Sequence, residues 1–166
     1  MKISLNEIKK LVNIPERMST EGLVRLIGSR LVEVEGKDDW LEKYRGILIV
    51  RVEKCEEIPD THLHLCQINV GKKELVQVVC GAPNVRVGLK SALVKIGGHI
   101  DGFEISKRPL VGIDSYGMMC SKRELGISDE HEGIIELPDD FVVGKDIKEY
   151  IPIDDIIVEI DNKSLT

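Results

Sequence analysis

Seven cationic side chains lie in one glycine-rich stretch of the sequence, between Gly81 and Arg123, which contains only three acidic residues. The whole chain has 23 basic and 29 acidic residues, so the rest of it is acidic. Lysine and arginine neutralise phosphates, and glycine allows a second backbone to come close. By itself such a charge run is most simply interpreted as a solvated face, and a polyanion-binding surface is the functional alternative. The cations are Arg86, Lys90, Lys95, Lys107, Arg108, Lys122 and Arg123.

A second pattern could bind a metal ion. His62, His64 and Cys66 alternate in the sequence HLHLC, and a period of two places all three on one face of a strand. Histidine and cysteine are zinc ligands, which makes a metal-dependent hydrolase a hypothesis to weigh. No fourth ligand is evident, and surface histidines at a strand start are the simpler interpretation. We therefore expect no metal site.

Composition narrows the class of protein. The chain has 166 residues, 42% of them hydrophobic, and a net charge of −6, which suits one core with a smaller satellite domain. No apolar run is long enough to span a bilayer, and the opening MKISLNEIKK lacks a secretory signal. We expect a cytoplasmic protein. Its four cysteines, at 55, 66, 80 and 120, have no CxxC spacing and should be free thiols.

The opening residues predict two short helices and a strand. Ser4 and Glu7 have the spacing of a capping box, in which a serine side chain accepts from the backbone at the helix start. Ser19 can cap a second helix that ends at Gly28. The alternation in LVEVEG, residues 31–36, then indicates a half-buried strand.

From Gly46 onward the sequence predicts β-structure. Short runs rich in β-branched residues are separated by turn dipeptides such as Gly97-Gly98 and Asp101-Gly102. The predicted strands are GILIVRVEKCEEI, HLHLCQINV, ELVQVVC, SALVKI, FEISKR and GIIELP. Such short, curved strands predict a small closed barrel, for which a five-stranded OB-fold is the candidate. A short polar helix is expected after the Met118-Met119-Cys120 core.

The sequence IIVEID predicts a further strand near the end of the chain. We expect it to pair near the opening helices, so that the barrel interrupts a small α/β domain. The expected fold class is α+β: an OB-fold barrel over 39–151, and a small α/β domain from 1–38 with 152–166, incomplete at its C-terminus. The chain is then expected to be part of a longer protein.

Several blocks of sequence resemble one family. CGAPNVRVGLK, GIDSYGMMCSKRELGIS and HEGIIELP followed by VGKDI are similar to the tRNA-binding, EMAP-II-like OB domain of bacterial phenylalanyl-tRNA synthetase β subunits. The opening MKISLNEIKKLV and SRLVEVEG resemble the amino terminus of that subunit. The resemblance covers essentially the whole chain. It implies an N-terminal fragment in which the barrel is inserted in a small α/β domain.

The resemblance also implies a function. The family forms part of a class II ligase that attaches phenylalanine to tRNA-Phe with ATP and Mg²⁺, as an α2β2 heterotetramer with an α subunit. Aminoacyl transfer belongs to that α subunit, and the editing site and β-subunit magnesium ligands lie beyond Thr166. No catalytic residue and no cofactor are therefore expected in this fragment.

The family pattern maps onto a defined set of positions in this sequence. One position departs from it: this chain has Val111 where the family commonly has arginine. The matching positions are Gly81, Ala82, Pro83, Asn84, Gly112, Ser115, Gly117, Met118, Cys120 and Ser121. Together with the cations, these give the tRNA-binding residues that we predict: Asn84, Lys90, Lys95, Lys107, Arg108, Ser115, Tyr116, Ser121, Lys122 and Arg123. Met118, Met119 and Cys120 are expected in the core. The alternative to tRNA binding is a structural OB module that contacts other synthetase domains.

Overall fold

A computed structural model describes residues 1–152 and 155–161 of the chain. It divides the chain into two compact units, one containing residues 1–41 and 155–161 and the other containing residues 42–152. Residues 153–154 and 162–166 belong to the segment 152–166 of the sequence prediction and lie outside the described residues.

Strands dominate the described part of the chain, with few helices. In chain order the elements are β1 (Lys2–Ser4), α1 (Leu5–Leu11), α2 (Thr20–Arg30), β2 (Glu33–Asp39), α3 (Trp40–Lys43), β3 (Arg45–Glu57), β4 (His64–Asn69), β5 (Val76–Cys80), β6 (Lys90–Ile100), β7 (Phe103–Glu104), β8 (Arg108–Leu110), β9 (Ile113–Ser115), β10 (Gly117–Met119), a 3₁₀ turn (Ile147–Glu149) and β11 (Ile156–Asp161). The predicted α+β composition is confirmed.

The first unit is a small antiparallel sheet with two helices. Its strand order is β1–β11–β2, so the last described strand lies between the two strands that flank the opening helices. Local hydrogen bonds start both helices: the Glu7 amide donates to Ser4 Oγ and the Gly22 amide to Ser19 Oγ, each at 3.0 Å. Both predicted caps are confirmed, although α2 continues two residues beyond Gly28.

The second unit is built on one antiparallel sheet in the order β10–β6–β3–β4–β5, with β7 paired to β6. Strand β3 is the longest, at 13 residues. The unit has two hydrophobic cores, and β3 contributes Val50 and Val52 to one and Ile47 and Ile49 to the other. The two ends of the sheet meet where the amide of Tyr116 donates to the carbonyl of Gln77 at 3.0 Å. This contact joins the β9–β10 segment to β5 and gives the sheet a barrel-like form.

Three sequence predictions in this unit are wrong. The run FEISKR is not one strand, because it contributes Phe103–Glu104 to β7 and Arg108 to β8 with no strand between them. The run GIIELP forms no strand. The Ile135 amide donates to the Cys120 carbonyl and the Leu137 amide donates to the Lys90 carbonyl. The amide of Ile134 donates to the side chain of Asn84. The alternating bonds of this run therefore go to separate partners rather than to one neighbouring strand. The helix expected after Cys120 is a series of turns over residues 122–126.

The four cysteines are free thiols, and three of them are buried. Burial is the main cause that raises the pKa values of the Cys66, Cys80 and Cys120 thiols. They therefore act as small hydrophobic residues. None of the helices in the described part of the chain is both long and apolar enough to cross a membrane.

Candidate nucleic-acid interface

Arg86 and Asn84 are engaged with the segment that follows Gly133. The Arg86 guanidinium donates to both carboxylate oxygens of Glu136, at 2.9 and 2.8 Å. Asn84 Nδ2 donates to the Ile134 carbonyl at 2.8 Å, while its Oδ1 accepts from the Ile134 amide at 2.9 Å. The hydrogen bonds from Arg86, and then from Asn84, lower the pKa of Glu136 to about 2. Asn84, a predicted tRNA-binding residue, is therefore placed where it positions a loop.

Lys90 and Lys122 also have partners within the chain. The Lys90 ammonium donates to the backbone carbonyls of Asp139 and Phe141, the latter at 2.9 Å. Lys122 Nζ lies 2.7 Å from the Glu130 carboxylate. An ammonium that is already bonded attracts phosphate less than a free one, because its charge is shared with the partner. The sequence count therefore overstates the positive charge available on this surface.

Lys107 and Tyr116 form a small cluster with Asp114. Lys107 Nζ lies 2.7 Å from the Asp114 carboxylate and 5.1 Å from the centre of the Tyr116 ring. The hydrogen bond from Lys107 to Asp114 is the main cause that raises the pKa of Lys107, so the ammonium keeps its charge at neutral pH. The Tyr116 side chain is 40% exposed. A cation beside a partly exposed aromatic ring is an arrangement that suits a phosphate next to an unstacked base.

Three of the predicted cations, Lys95, Arg108 and Arg123, are exposed. Among the described residues, the structure gives their side chains no hydrogen bond or ion pair. Lys95 and Tyr116 line one cleft of about 430 Å³. Arg108 follows Lys107 directly and pairs with Ser115 between β8 and β9.

Lys72 lines the same cleft and escaped the sequence prediction, which identified Gly71-Lys72-Lys73 only as a turn. Two adjacent lysines in a turn are the signal that could have identified it. The surface formed by Lys72, Lys95, Lys107, Arg108 and Tyr116 is called the Tyr116 patch below. Glu74 also lines the cleft and reduces its net positive charge.

Ser115 is buried beneath this patch, and its hydroxyl joins two strands. Its Oγ accepts from the Val79 amide at 3.1 Å and donates to the Gly117 carbonyl at 3.0 Å. One residue away, Gln77 Nε2 donates to the Asp114 carbonyl at 2.9 Å. These bonds hold the β9–β10 segment against β5. They place Ser115 where it orients Tyr116 through the backbone.

Ser121 is also buried, and it closes a tight turn. Its hydroxyl donates to the Glu124 carboxylate at 2.8 Å, and its amide donates to the same oxygen at 2.7 Å. The Glu124 amide donates back to Ser121 Oγ at 3.3 Å. Both groups of Ser121 are therefore used within the chain.

A second concave surface, of about 460 Å³, lies where β5 and β10 end. Gly81–Pro83 and Met118 contribute to it, and so do the carboxylates of Glu124 and Glu132. No lysine or arginine is among the described residues that line it. A carboxylate repels phosphate, and its free oxygens can accept hydrogen bonds from amino groups. Met118 and Tyr116 are two residues apart, so roughly 7 Å of strand separates this cleft from the Tyr116 patch.

The HLHLC pattern does not assemble a metal centre. Within residues 1–152 and 155–161, no group of three or more His, Cys, Asp or Glu side chains is placed to hold a metal ion. Cys66 is buried with its Sγ 3.8 Å from Cys55 Sγ, while His62 lies beside Gly81. The hypothesis of a metal-dependent hydrolase has no support.

Comparisons with known proteins show which family the chain resembles. A β subunit of phenylalanine–tRNA ligase from Aromatoleum aromaticum is 38% identical over 161 residues, which cover 96% of this chain and 20% of that protein. The corresponding subunit from Coxiella burnetii is 40% identical over 162 residues, or 97% of this chain and 20% of its own length. The chain thus spans about a fifth of the length of these curated relatives.

Among solved structures, the C-terminal domain of Plasmodium vivax p43 aligns with a TM-score of 0.45 and 20% identity, over 63% of this chain and 59% of that one.

The family model described as a putative tRNA binding domain matches residues 47–146, which include every residue of the Tyr116 patch. This chain belongs to the family of putative tRNA binding domains.

Proposed function

We propose that this chain is the N-terminal region of the β subunit of a phenylalanine–tRNA ligase and that it binds tRNA-Phe. The family match over residues 47–146 and the relatives' names support this proposal. The fragment contributes binding rather than catalysis. ATP and Mg²⁺ serve other parts of the ligase, and an α subunit completes an α2β2 assembly.

The barrel of the second unit is, in this proposal, an OB-fold. The sheet runs β10–β6–β3–β4–β5, and the hydrogen bond from Tyr116 to Gln77 links β5 back to the start of β10. Five strands in a ring, with one connection made by a few bonds only, match a partly open five-stranded barrel. OB-folds bind oligonucleotides on an open face and on the adjoining loops.

The Tyr116 patch carries the proposal, because it joins exposed cations without a described partner, Lys95 and Arg108 among them, to a partly exposed aromatic ring. Lys95 and Arg108 bind phosphates, and Tyr116 stacks on a base whose phosphate meets Lys107. Lys72 extends the cationic surface, and Arg123 provides a further exposed charge. Asn84, Lys90, Ser115 and Ser121 act through the backbone segments that they position, and Lys122 acts after release from Glu130.

A structural module is the second candidate function. Its specific support is the number of cations with partners inside the chain: Arg86, Lys107 and Lys122 all form ion pairs. In that case the barrel binds other domains of the ligase and tRNA affinity does not depend on the Tyr116 patch.

A binding measurement with a charge-matched control distinguishes the two. Fluorescence anisotropy of labelled tRNA-Phe is recorded between 50 and 200 mM salt for the chain, for Lys95→Ala/Arg108→Ala and for Lys9→Ala/Arg25→Ala. Each double variant loses two exposed cations that have no described partner, but Lys9 and Arg25 lie in the first unit.

Each lost phosphate contact should lower the salt slope by about 0.9, which corresponds to roughly 30-fold weaker binding at 0.15 M salt for two contacts. The control should bind like the unmodified chain. Equal losses in both double variants would show non-specific attraction, and no loss in either would favour the structural module.

A further inference from the structure

The hairpin of β8 and β9 ends in an unfavourable turn. Val111 and Gly112 connect the paired residues Leu110 and Ile113, with φ angles of +46° and +80°. Two consecutive positive φ angles define a type I′ turn, for which asparagine, aspartate or glycine is the preferred first residue. A β-branched side chain at positive φ crowds its own backbone and is a genuine outlier.

The same chain makes this turn elsewhere with a favoured residue. Asp101-Gly102 connects Ile100 of β6 to Phe103 of β7, with φ angles of +46° and +81°. The two turns therefore share one geometry and differ in their first residue. Since valine is not needed to form the turn, its presence at position 111 calls for another reason.

Burial is not an evident reason. Val111 is 56% exposed and its neighbour Leu110 is 39% exposed. Two apolar residues are thus substantially exposed at the end of a hairpin, at the position where the backbone is strained. Strain of this kind concentrates at functional sites, where the surroundings hold the residue in place.

The two strands of the hairpin differ in their surroundings. Strand β9 is hydrogen-bonded to β5 through Ser115 and Asp114, whereas β8 is exposed along its whole length. Arg108 begins β8, two residues and roughly 7 Å of strand before Leu110, and Lys107, which pairs with Asp114, precedes it. An apolar tip on the same exposed strand as a cation complements a ligand with both phosphates and apolar faces.

We propose that Leu110 and Val111 form an apolar wedge that contacts an unpaired base of the bound RNA, a role that rests on the proposed tRNA-binding function. The flanking cations select RNA over a neutral protein surface as the occupant, since they meet the phosphates beside that base. The deep, narrow major groove of A-form RNA excludes side chains, so the wedge reaches a base in a loop or at a bulge. Inserted apolar side chains are a known means of separating stacked bases.

Two substitutions at one position test the wedge. Val111→Asn places the preferred residue in the turn, and Val111→Gly removes the side chain. Val111→Asn should raise the midpoint of thermal unfolding by a few degrees, because the strain is relieved. Both variants should bind labelled tRNA-Phe about fivefold more weakly, which corresponds to losing roughly half of a buried valine side chain. The salt slope should not change, because no charge is removed.

The control is Val87→Asn, which changes a valine that is 61% exposed outside the Tyr116 patch and should leave the affinity unchanged. Unchanged affinity in both Val111 variants, with salt-dependent binding intact, would overturn the wedge alone. No binding of tRNA by the unmodified chain would overturn the wedge together with the proposed function. A lower unfolding midpoint for Val111→Asn would refute the argument from strain.

Discussion

Removing the Ser115 hydroxyl should open the place where the two ends of the barrel sheet meet. Ser115 is 4% exposed, and its Oγ both accepts from the Val79 amide and donates to the Gly117 carbonyl. Ser115→Ala changes no charge and leaves a side chain that fits the same space. The substitution therefore isolates the two hydrogen bonds.

The loss in the free energy of unfolding follows from the two backbone groups that lose their hydrogen bonds to Ser115 Oγ. The Val79 amide belongs to a buried residue and loses its acceptor, which costs about 1–3 kcal/mol. The bond to the Gly117 carbonyl contributes about 1 kcal/mol more. The free energy of unfolding should therefore fall by roughly 2–4 kcal/mol, a large part of the stability of a domain of this size.

Urea denaturation followed by far-UV circular dichroism measures this change, since the single tryptophan, Trp40, lies in the first unit and reports poorly on the barrel. With a slope of about 1–3 kcal/mol per M, the midpoint should fall by roughly 1–2 M. Ser106→Ala is the matched control, because Ser106 is exposed and has no described hydrogen bond, and it should change stability by less than about 0.5 kcal/mol.

A shift for Ser115→Ala as small as the control's would refute the structural role of this hydroxyl. If stability were unchanged but tRNA-Phe affinity fell tenfold, Ser115 would act at the RNA directly. The expected result is a large loss of stability together with weaker binding of tRNA-Phe, because Ser115 orients Tyr116 through the backbone.

Two further predictions concern acid stability and close backbone contact. The folded-state pKa of Glu136, about 2, lies below the ordinary value, so its contribution to stability is complete above about pH 4.3 and is lost as the pH falls through 2. Unfolding of Glu136→Gln should consequently depend less on pH in this window, and equal pH dependence would contradict the role of the Arg86 contact. In Gly71→Ala the new Cβ would lie 2.6 Å from Gly144 Cα at a φ of +76°, which should cost about 2–4 kcal/mol. Gly97→Ala, at a φ of +78° with open space around it, should cost only about 1 kcal/mol, and equal costs would exclude the contact with Gly144.

Sequence reasoning worked best where the deciding interactions are local. The caps at Ser4 and Ser19 bond to amides three residues ahead, so the residue types alone specify them. The alternating apolar pattern likewise located β3 to β6, because a half-buried strand needs one apolar face. The run GIIELP has the same pattern but forms no strand, since its backbone amides bond to two separate segments, at Cys120 and at Lys90, rather than along one neighbouring strand.

The charge pattern shows the limit of such reasoning. The sequence places seven cations in one stretch, but it does not tell which of them are free. Glu136 pairs with Arg86 across 50 residues, and Lys90 reaches carbonyls 49 and 51 residues away. Only folding brings these partners together, and it leaves Lys95 and Arg108 as exposed cations of the Tyr116 patch.

By itself, then, the sequence determined the helix starts, strands β3 to β6 and a basic stretch, because caps, alternation and residue charge are properties of neighbouring residues. The tertiary structure alone decided that Ser115 joins two strands, that Lys72 lines the cleft of Lys95 and Tyr116, and that Val111 is strained and exposed. These three features depend on which distant segments meet and on the backbone angles imposed where they meet. Residue type alone specifies neither the meeting of segments nor the angles.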